Sequence, residues 1–314
     1  MADRQQQDDI NRDLGLGSRV AQESRVRFLN RDGSFNVHRK GLSFLRSQNT
    51  YHSLLTMSWV KFFIILSLSY FIVNAIFACG YVLCGSDAIE GIHPQNIADE
   101  FLQDFFFSVQ TVSTIGYGTA SPHGLAANIL VTFEALAGLL GFALATGLLF
   151  ARFSRPNARI VYSHHAVIAP YRGITAFEFR IANERSNELF EVHCTLTLSR
   201  VERDTQGNTM RKFYPLSLER NQVVFFPLHW VIVHPIDEQS PLYGETETSL
   251  KASDGEFLIL LTAFDETFSQ TVHSRSSYKY HEVRWGAKFA DMFHSSDDEG
   301  VTIDLRRIHN IEPL

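Results

Sequence analysis

Two stretches of this 314-residue chain lack charged side chains almost entirely. No Asp, Glu, Lys or Arg occurs from 62 to 84, and Glu134 is the only one from 125 to 151. A helix needs about 20 apolar residues to cross a bilayer, and charge-free runs of this length are rare in soluble proteins. We therefore predict two membrane spans, at about 59–84 and 124–152; two buried helices of a soluble protein are the alternative.

The chain also lacks an excess of basic residues and has few cysteines. Its net charge is −6, and its Lys and Arg residues form no basic stripe, so nucleic acid is not expected as a partner. Cys79, Cys84 and Cys194 have no spacing typical of a metal site, and we expect buried, unreactive thiols. His164 and His165 have no thiol or carboxylate at a suitable spacing. They are interpreted as surface or core histidines, and the chain is not expected to be an enzyme.

The connection between the two spans, residues 85–124, contains no Lys or Arg. Basic residues instead flank the opposite ends of the spans, namely Arg39, Lys40, Arg46, Lys61, Arg152, Arg155 and Arg159. Because basic segments near span ends are retained in the cytoplasm, both termini are expected there. The first fifty residues lack the apolar core of a cleavable signal peptide, so we expect the first span to act as the insertion signal.

An apolar run within the connection, FLQDFFFSVQT at 101–111, is too short to cross a bilayer. We expect a re-entrant helix here, at about 100–112. Asp99 and Glu100 at its start suit the positive end of a helix dipole. Its other end directs unpaired carbonyl groups toward the segment that follows, which is Thr114-Ile115-Gly116-Tyr117-Gly118.

The segment 114–118 has the residue order expected of an ion selectivity filter. A cation leaves its hydration shell only where oxygen atoms replace it, and stacked backbone carbonyls supply such oxygens. Gly116 and Gly118 can adopt backbone angles that turn successive carbonyls to the same side. We expect K+ to bind at the carbonyls of Thr114, Ile115, Gly116 and Tyr117. One chain carries one such segment, so a ring of four requires a homotetramer; a tight glycine turn in an extracellular loop is the alternative.

Helical phase predicts which face of the second span lines the conduction path. Phe142, Thr146 and Phe150 fall within about 80° of one another on a helix, so they can share the pore-facing stripe. Phe150 lies near the cytoplasmic end, where four aromatic rings would form a constriction that stops ions by dewetting. Ordinary helix packing is the alternative role for Phe150.

Other residues of this span are predicted to have structural roles. Glu134 lies nearly opposite Phe150 in helical phase, so its carboxylate is expected to face the first span or the re-entrant helix. Gly138 and Gly147 are predicted hinge positions, although close helix packing explains Gly138, Gly141 and Gly147 equally well.

From Arg159 onward the pattern changes to short runs with period-two alternation, separated by turn residues. This pattern predicts an all-β sandwich of the immunoglobulin type at 157–314, after an N-terminal arm at 1–50 and an α-helical pore domain at 51–156. The candidate strands are 166–169, 175–182, 191–201, 210–214, 230–234, 257–264 and 282–287, with a hairpin turn at 204–208.

Several motifs in order along the chain resemble those of prokaryotic inward-rectifier potassium channels. They are LNRDGSFNV (29–37), TIGYG (114–118), LLFARFSRP (148–156), VHPIDEQSPLY (233–243), RSSY (275–278) and WG (285–286). The resemblance covers nearly the whole chain. It implies a voltage-independent, homotetrameric potassium channel in the bacterial inner membrane.

The resemblance also implies roles for residues near the cytoplasmic membrane surface. An amphipathic slide helix is expected at about 51–61, and Phe150 is expected to be the inner gate. Lys61, Arg152 and Arg155 are expected to meet anionic lipid headgroups, with an electrostatic attraction of about 1 kcal/mol each.

One departure from the family concerns the cavity. Strongly rectifying relatives carry an acidic residue where this chain has Phe142, so block by Mg2+ or polyamines is expected to be weak. No cofactor is expected apart from permeant K+ ions in the filter. A non-conducting membrane receptor with a ligand-binding β-sandwich is the second functional hypothesis.

Overall fold

The computed structural model describes residues 27–36, 50–154, 158–185, 188–203, 209–226, 229–295 and 301–314. The chain forms two compact units, and each is described by itself. Residues 41–155 form the pore unit, and residues 1–40 together with 156–314 form the β unit.

The described part of the pore unit is helical, with one short ladder of strands. Its elements are α1 (Thr50–Thr56), α2 (Trp59–Cys84), β1 (Ile89–Glu90), α3 (Ile97–Val112), β2 (Ser121–Pro122) and α4 (Gly124–Phe153), and β1 pairs with β2. The helices α2 and α4 contain 26 and 30 residues and are long and apolar enough to cross a membrane. They coincide with the two predicted spans.

The re-entrant helix α3 begins at Ile97, about one turn before the predicted start. The side-chain oxygen of Asn96 accepts hydrogen bonds from the backbone N–H groups of Ala98 and Asp99, both at 3.0 Å. Asp99 and Glu100 lie in the first turn, where carboxylates are stabilised by the helix dipole. The earlier start follows from Asn96, because Asn is a strong N-cap residue.

The slide helix expected at 51–61 ends earlier than the resemblance implies. The helix α1 stops at Thr56, and Ser58 is extended, with φ −61° and ψ 151°. The Ser58 side chain accepts from the backbone N–H of Lys61 at 3.5 Å and caps α2. The prediction of a slide helix that continues to residue 61 is therefore wrong, and Lys61 belongs to the first turn of α2.

The β unit consists mainly of strands. These are β3 (Ile160–Tyr162), β4 (Ala166–Tyr171), β5 (Ile174–Asn183), β6 (Leu189–Arg203), β7 (Thr209–Leu216), β8 (Gln222–Phe225), β9 (His229–Ile236), β10 (Glu256–Asp265), β11 (Gln270–Lys279), β12 (Val283–Trp285), β13 (Ala287–Phe289), β14 (Phe293–Ser295), β15 (Val301–Ile303) and β16 (Ile311–Pro313), with a short helix α5 (Glu247–Ala252) before β10. One sheet has the order β11-β10-β6-β7 with β8 on β6, and the other has the order β12-β4-β5-β3 with β9 on β5.

Side chains from both five-stranded sheets form a common core. On β5, Phe177, Phe179 and Ile181 alternate along the strand and are fully buried. Phe177 stacks on Phe257 of β10, with ring centroids 4.1 Å apart. Two sheets that share one apolar core confirm the predicted β-sandwich.

Each of the seven candidate strands coincides with an observed strand, with one correction. The strand predicted at 282–287 is divided into β12 and β13 by Gly286, whose φ of 64° breaks the extended backbone. The short strands β3, β8, β14, β15 and β16 and the ten-residue strand β11 were not predicted. The hairpin turn predicted at 204–208 lies outside the described residues.

Residues 27–36 of the N-terminal arm belong to the β unit. The backbone N–H of Phe28 donates to the buried carboxylate of Glu256 at 3.1 Å. Arg27 forms an ion pair with Glu282 at 2.9 Å. The arm therefore contacts the β unit through both backbone and side-chain groups.

The three cysteines differ in burial. Cys194 is buried in the β unit, where desolvation raises the pKa of its thiol, as expected for an unreactive cysteine. Cys79 and Cys84 are exposed on α2, so the prediction that they are buried is wrong. The reason is that α2 buries only a few of its residues within one chain.

Candidate functional site

The segment 114–118 follows directly from the C-terminal end of α3. The backbone N–H of Thr114 donates to the carbonyl of Thr111 at 3.0 Å, and that of Ile115 donates to the carbonyl of Gln110 at 2.8 Å. These bonds use carbonyls of the last helical turn, which have no partner within a helix. They fix the first residues of the segment to the end of α3.

The backbone of this segment alternates in handedness. Thr114, Gly116 and Gly118 have φ values of 56°, 56° and 81°, whereas Ile115 and Tyr117 have no positive φ. Such alternation lets successive carbonyls point to one side, which is the geometry of a column of oxygen ligands. The sequence predicted this freedom for the two glycines but not for Thr114. A non-glycine residue in the left-handed region is strained, and such strain clusters at functional sites.

The whole segment is exposed in a single chain. Ile115 is 48% and Tyr117 is 72% exposed, and a Cβ atom added at Gly116 or Gly118 would meet nothing within 4 Å. Irregular backbone at membrane depth is tolerated only where it is buried in protein or lines a water-filled cavity. At membrane depth, this exposed segment would need either surrounding protein or a water-filled path beside it.

Glu134 on α4 faces α2, which confirms the position predicted from helical phase. Its side chain is fully buried and accepts a hydrogen bond from the hydroxyl of Tyr81. Tyr81 also packs edge-on against Phe107 of α3, with ring centroids 5.3 Å apart. The carboxylate therefore belongs to the packing between the three long helices of the pore unit.

The two glycines predicted as hinges have different surroundings. A Cβ at Gly138 would lie 2.7 Å from the carbonyl oxygen of Val112, whereas one at Gly147 would meet nothing within 4 Å. Glycine at 138 is thus required by the close approach of α4 to the end of α3. Bending at Gly138 or Gly147 stays a prediction.

The residues predicted to line the conduction path all lie on one exposed face of α4. Phe142 and Phe150 are 75% and 72% exposed, and Thr146 between them is also exposed. Their four-residue spacing on a continuous helix places them on a common stripe. Their roles in the cavity and the gate stay predictions.

The basic residues predicted at the lipid surface differ in exposure. Lys61 is exposed, and Arg155 lies outside the described residues. Arg152 is only 9% exposed. Its guanidinium donates to the backbone carbonyls of Leu54 and Met57, the latter at 2.7 Å. Headgroup contact stays a prediction for all three residues.

Arg152 has an intramolecular role that sequence reasoning missed. Its guanidinium carbon lies 4.5 Å from the ring centroid of Trp59 and 4.6 Å from that of Phe62, which are cation–π distances. These contacts tie the end of α4 to the start of α2. The charge pattern suggested only a headgroup role, because backbone carbonyl partners leave no trace in a sequence.

Three histidines of the β unit, His164, His165 and His309, lie close together without a metal arrangement. His164 stacks on His309 with ring centroids 3.6 Å apart, and His165 lies 3.2 Å from a guanidinium nitrogen of Arg284. Burial and the nearby charge of Arg284 lower the pKa of His165. Among the described residues no group of three or more His, Cys, Asp or Glu could hold a metal ion.

A cavity of about 330 Å³ lies on the β unit. Its lining residues are Tyr171, Glu178, Glu219, Arg220, Trp230, Val231 and Val233. Glu219 already pairs with Arg172 at 2.8 Å. An indole ring and charges of both signs meet in this cavity, so a receptor function would use it for a small ligand.

Two long apolar helices thus flank a capped re-entrant helix and a segment of alternating backbone handedness. These features define a subunit of a pore-loop channel. Residues 160–314 match the family model described as the inward rectifier potassium channel C-terminal domain, and residues 63–155 match the ion channel model.

Similar proteins specify the family. The inward rectifier potassium channel Kirbac3.1 of Paramagnetospirillum magnetotacticum is 43% identical over 287 residues, which are 91% of this chain and 95% of that protein. The inward rectifier potassium channel 4 of Homo sapiens is 30% identical over 221 residues, which are 67% of this chain and 49% of that protein. The chain therefore belongs to the inward rectifier potassium channel family.

Proposed function

We propose that this chain is one subunit of a homotetrameric channel that conducts K+ passively through a filter formed by residues 114–118. The observation that carries the proposal is the alternating sign of φ along this segment, with positive values at Thr114, Gly116 and Gly118. Four copies around one axis bring together the carbonyls of residues 114 to 117, which replace the water around a K+ ion. The exposure of the segment in one chain supports this assembly.

The second span forms the path below the filter. Phe142, Thr146 and Phe150 face the axis, and Phe150 acts as the inner gate when four rings converge and exclude water. Gly147 lies one turn before this gate and has open space around it, which supports bending there. Since Phe142 carries no charge, Mg2+ and polyamines block the open channel only weakly.

The helices α2 and α4 cross the bacterial inner membrane with both chain ends in the cytoplasm. The basic residues at the cytoplasmic ends of the spans support this orientation. Lys61 and Arg155 attract anionic headgroups, at about 1 kcal/mol each. Arg152 adds a positive charge near the same surface, although its Nη1 and Nη2 groups donate to backbone carbonyls.

The test uses the full-length protein, purified and reconstituted in liposomes with and without anionic lipid. Uptake of radioactive Rb+ against an internal K+ load measures conduction, with Na+ as the competing ion and Ba2+ as the blocker. We expect Rb+ and K+ to permeate, Na+ to be excluded and Ba2+ to stop uptake. Absence of uptake in every lipid mixture would contradict the proposal.

Gly118→Ala and Gly173→Ala provide a matched pair for this assay. The two glycines have φ values of 81° and 87°, and a Cβ would meet nothing within 4 Å at either position. Alanine thus imposes similar backbone strain at both, of about 1–3 kcal/mol. We expect Gly118→Ala to abolish selective flux and Gly173→Ala, in the turn between β4 and β5, to retain it. Equal loss in both variants would contradict a filter role for Gly118.

A non-conducting receptor is the second candidate, and the cavity beside Trp230 is the observation that favours it. That function predicts saturable binding of a small ligand to the purified protein and no ion flux under any condition. The same flux assay therefore separates the two candidates.

A further inference from the structure

The first span carries a polar stripe on the face that meets α3. Tyr70, Asn74 and Tyr81 lie within about 40° of one another around the helix. Asn74 is fully buried, although its helix is otherwise almost entirely apolar. A buried amide in such a helix is costly unless its hydrogen bonds are satisfied by neighbouring groups.

This stripe connects α2 to α3 at two levels. The hydroxyl of Ser108 donates to the side-chain oxygen of Asn74 at 2.9 Å, and the Asn74 amide nitrogen donates to the backbone carbonyl of Tyr70 at 2.7 Å. The hydroxyls of Tyr70 and Ser113 share a hydrogen bond at 2.7 Å. Ser113 is the residue between α3 and Thr114, so the second connection reaches the residue directly before the filter segment.

The position of Ser113 determines where the filter begins. Its backbone N–H donates to the carbonyl of Val109 at 3.1 Å, which fixes it along the axis of α3. The bond from Tyr70 adds a lateral constraint from a different helix. Because a binding site must be held to within about 0.5 Å of its working geometry, loss of this constraint should loosen the first carbonyl ring.

We infer that Tyr70, Asn74 and Ser108 are positioning residues for the selectivity filter, and that Tyr70 acts through Ser113. The first span is thereby part of the selectivity machinery, although it contributes no atom to the ion path. This inference rests on the proposed function, because it concerns the residues that hold the same filter.

Tyr70→Phe is the direct test, because it removes one hydroxyl and keeps the ring. The assay measures the ratio of K+ to Na+ flux in liposomes, and tetramer melting is recorded on the same preparation. We expect the flux ratio to fall by about two- to tenfold, the range that one neutral hydrogen bond supplies. Ser113→Ala should lower the ratio by the same factor. The double variant should match either single variant, since both remove one shared bond.

Ser69→Ala is the matched control on the same helix. The hydroxyl of Ser69 donates to the carbonyl of Ile65 within α2, at 2.8 Å, so its loss leaves α3 untouched. We expect the flux ratio of Ser69→Ala to equal that of the parent. Ser108→Ala tests the hydrogen bond between Ser108 and Asn74 without changing the larger Asn74 side chain. It should also lower the flux ratio.

The outcomes separate this inference from the proposed function. A parent protein without K+ flux overturns the proposed function itself. A selective parent with an unchanged ratio in Tyr70→Phe overturns the inference alone, and so does a variant whose tetramer melts earlier while its flux ratio stays the same. If the flux ratio of the double variant falls by the product of the two single reductions, the link between Tyr70 and Ser113 is overturned.

Discussion

The two units of this chain bury their side chains to very different extents. In the β unit, large core side chains such as Phe177, Phe257 and Tyr278 are less than 2% exposed. In the pore unit, the most apolar 18-residue stretch of α2 is only 17% buried within one chain. The corresponding stretch of α4 is 11% buried. The pore-unit residues that are buried include the polar side chains Asn74, Asp104, Ser108 and Glu134.

This difference indicates what stabilises each unit. The β unit excludes water from apolar side chains, so the hydrophobic effect is its main stabilising force. Apolar surface on a membrane span lies against lipid tails, where burial brings no such gain, and close packing and hydrogen bonds specify the structure instead. Removing apolar side-chain volume should therefore destabilise the β unit most. Removing single polar atoms should destabilise the pore unit most.

The largest effect is expected from Phe177→Ala in the β unit. Phe177 is fully buried and stacks on Phe257, and deletion of a buried Phe side chain costs about 3–5 kcal/mol. The measurement is the thermal unfolding of the β unit in the full-length protein. The control is Phe264→Ala, at a position that is 40% exposed, where we expect a much smaller change. Equal shifts in the two variants would contradict the core assignment.

The second effect is expected from Tyr81→Phe in the pore unit. The Tyr81 hydroxyl is the donor to the fully buried Glu134 side chain, and a buried acceptor left without its donor costs about 1–3 kcal/mol. The temperature at which the tetramer dissociates should fall. Tyr51→Phe, at a position that is 58% exposed, should leave it unchanged. An unchanged dissociation temperature in Tyr81→Phe would mean that polar contacts do not specify the structure of the pore unit.

A smaller effect is expected where the N-terminal arm meets the β unit. Arg27 pairs with Glu282 at 2.9 Å and both side chains are partly buried, so Arg27→Ala should cost about 1 kcal/mol. Limited proteolysis should then cut the arm several-fold faster. Arg306→Ala removes a pair with Asp304 whose Arg side chain is 91% exposed, and it should not change cleavage. The same cleavage rate in all three proteins would contradict the docked arm.

The smallest effect is a dependence of β-unit stability on pH. His234 is buried, and its ring nitrogens contact Ser217 O at 2.6 Å and Ser240 Oγ at 2.7 Å. Burial lowers the pKa of His234, so the unfolded chain binds more protons than the folded one below about pH 6.5. Stability is fully present above that pH and is lost as the pH falls toward the folded pKa, by at most about 1.4 kcal/mol per pH unit.

His234→Gln tests the direction of this pH dependence, because glutamine does not titrate in this range. Thermal unfolding of the full-length protein is compared at neutral pH and at about pH 5.5. The loss of stability on acidification should be smaller in His234→Gln than in the parent. An identical or larger loss in the variant would show that His234 is not the group responsible.

The features that sequence predicted correctly have strong local signals. Absence of charge over more than twenty residues defines a span, and the phase of a single helix was enough to orient Glu134 toward α2 or α3. The freedom of Gly116 and Gly118 to take positive φ follows from the missing Cβ. None of these inferences needed a partner from a distant part of the chain.

The features that sequence missed depend on distant partners. The strand β11 was not predicted, because the partners of its buried polar residues are distant in sequence: the hydroxyls of Ser276 and Ser277 donate to Arg31 O and Leu29 O of the N-terminal arm. Arg152 was predicted for lipid alone because its carbonyl partners lie almost a hundred residues earlier in the chain. Tyr70 was interpreted as part of an apolar span, although its hydroxyl meets Ser113.

In the proposed channel, four copies of residues 114–118 hold dehydrated K+ on a common axis. The most direct measurement is a structure of the assembled protein in Tl+ or Rb+, which replace K+ and scatter strongly. The account predicts ion density on a fourfold axis, level with the carbonyl oxygens of Thr114, Ile115, Gly116 and Tyr117. Carbonyls that face away from the axis, or an axis without ion density, would contradict it.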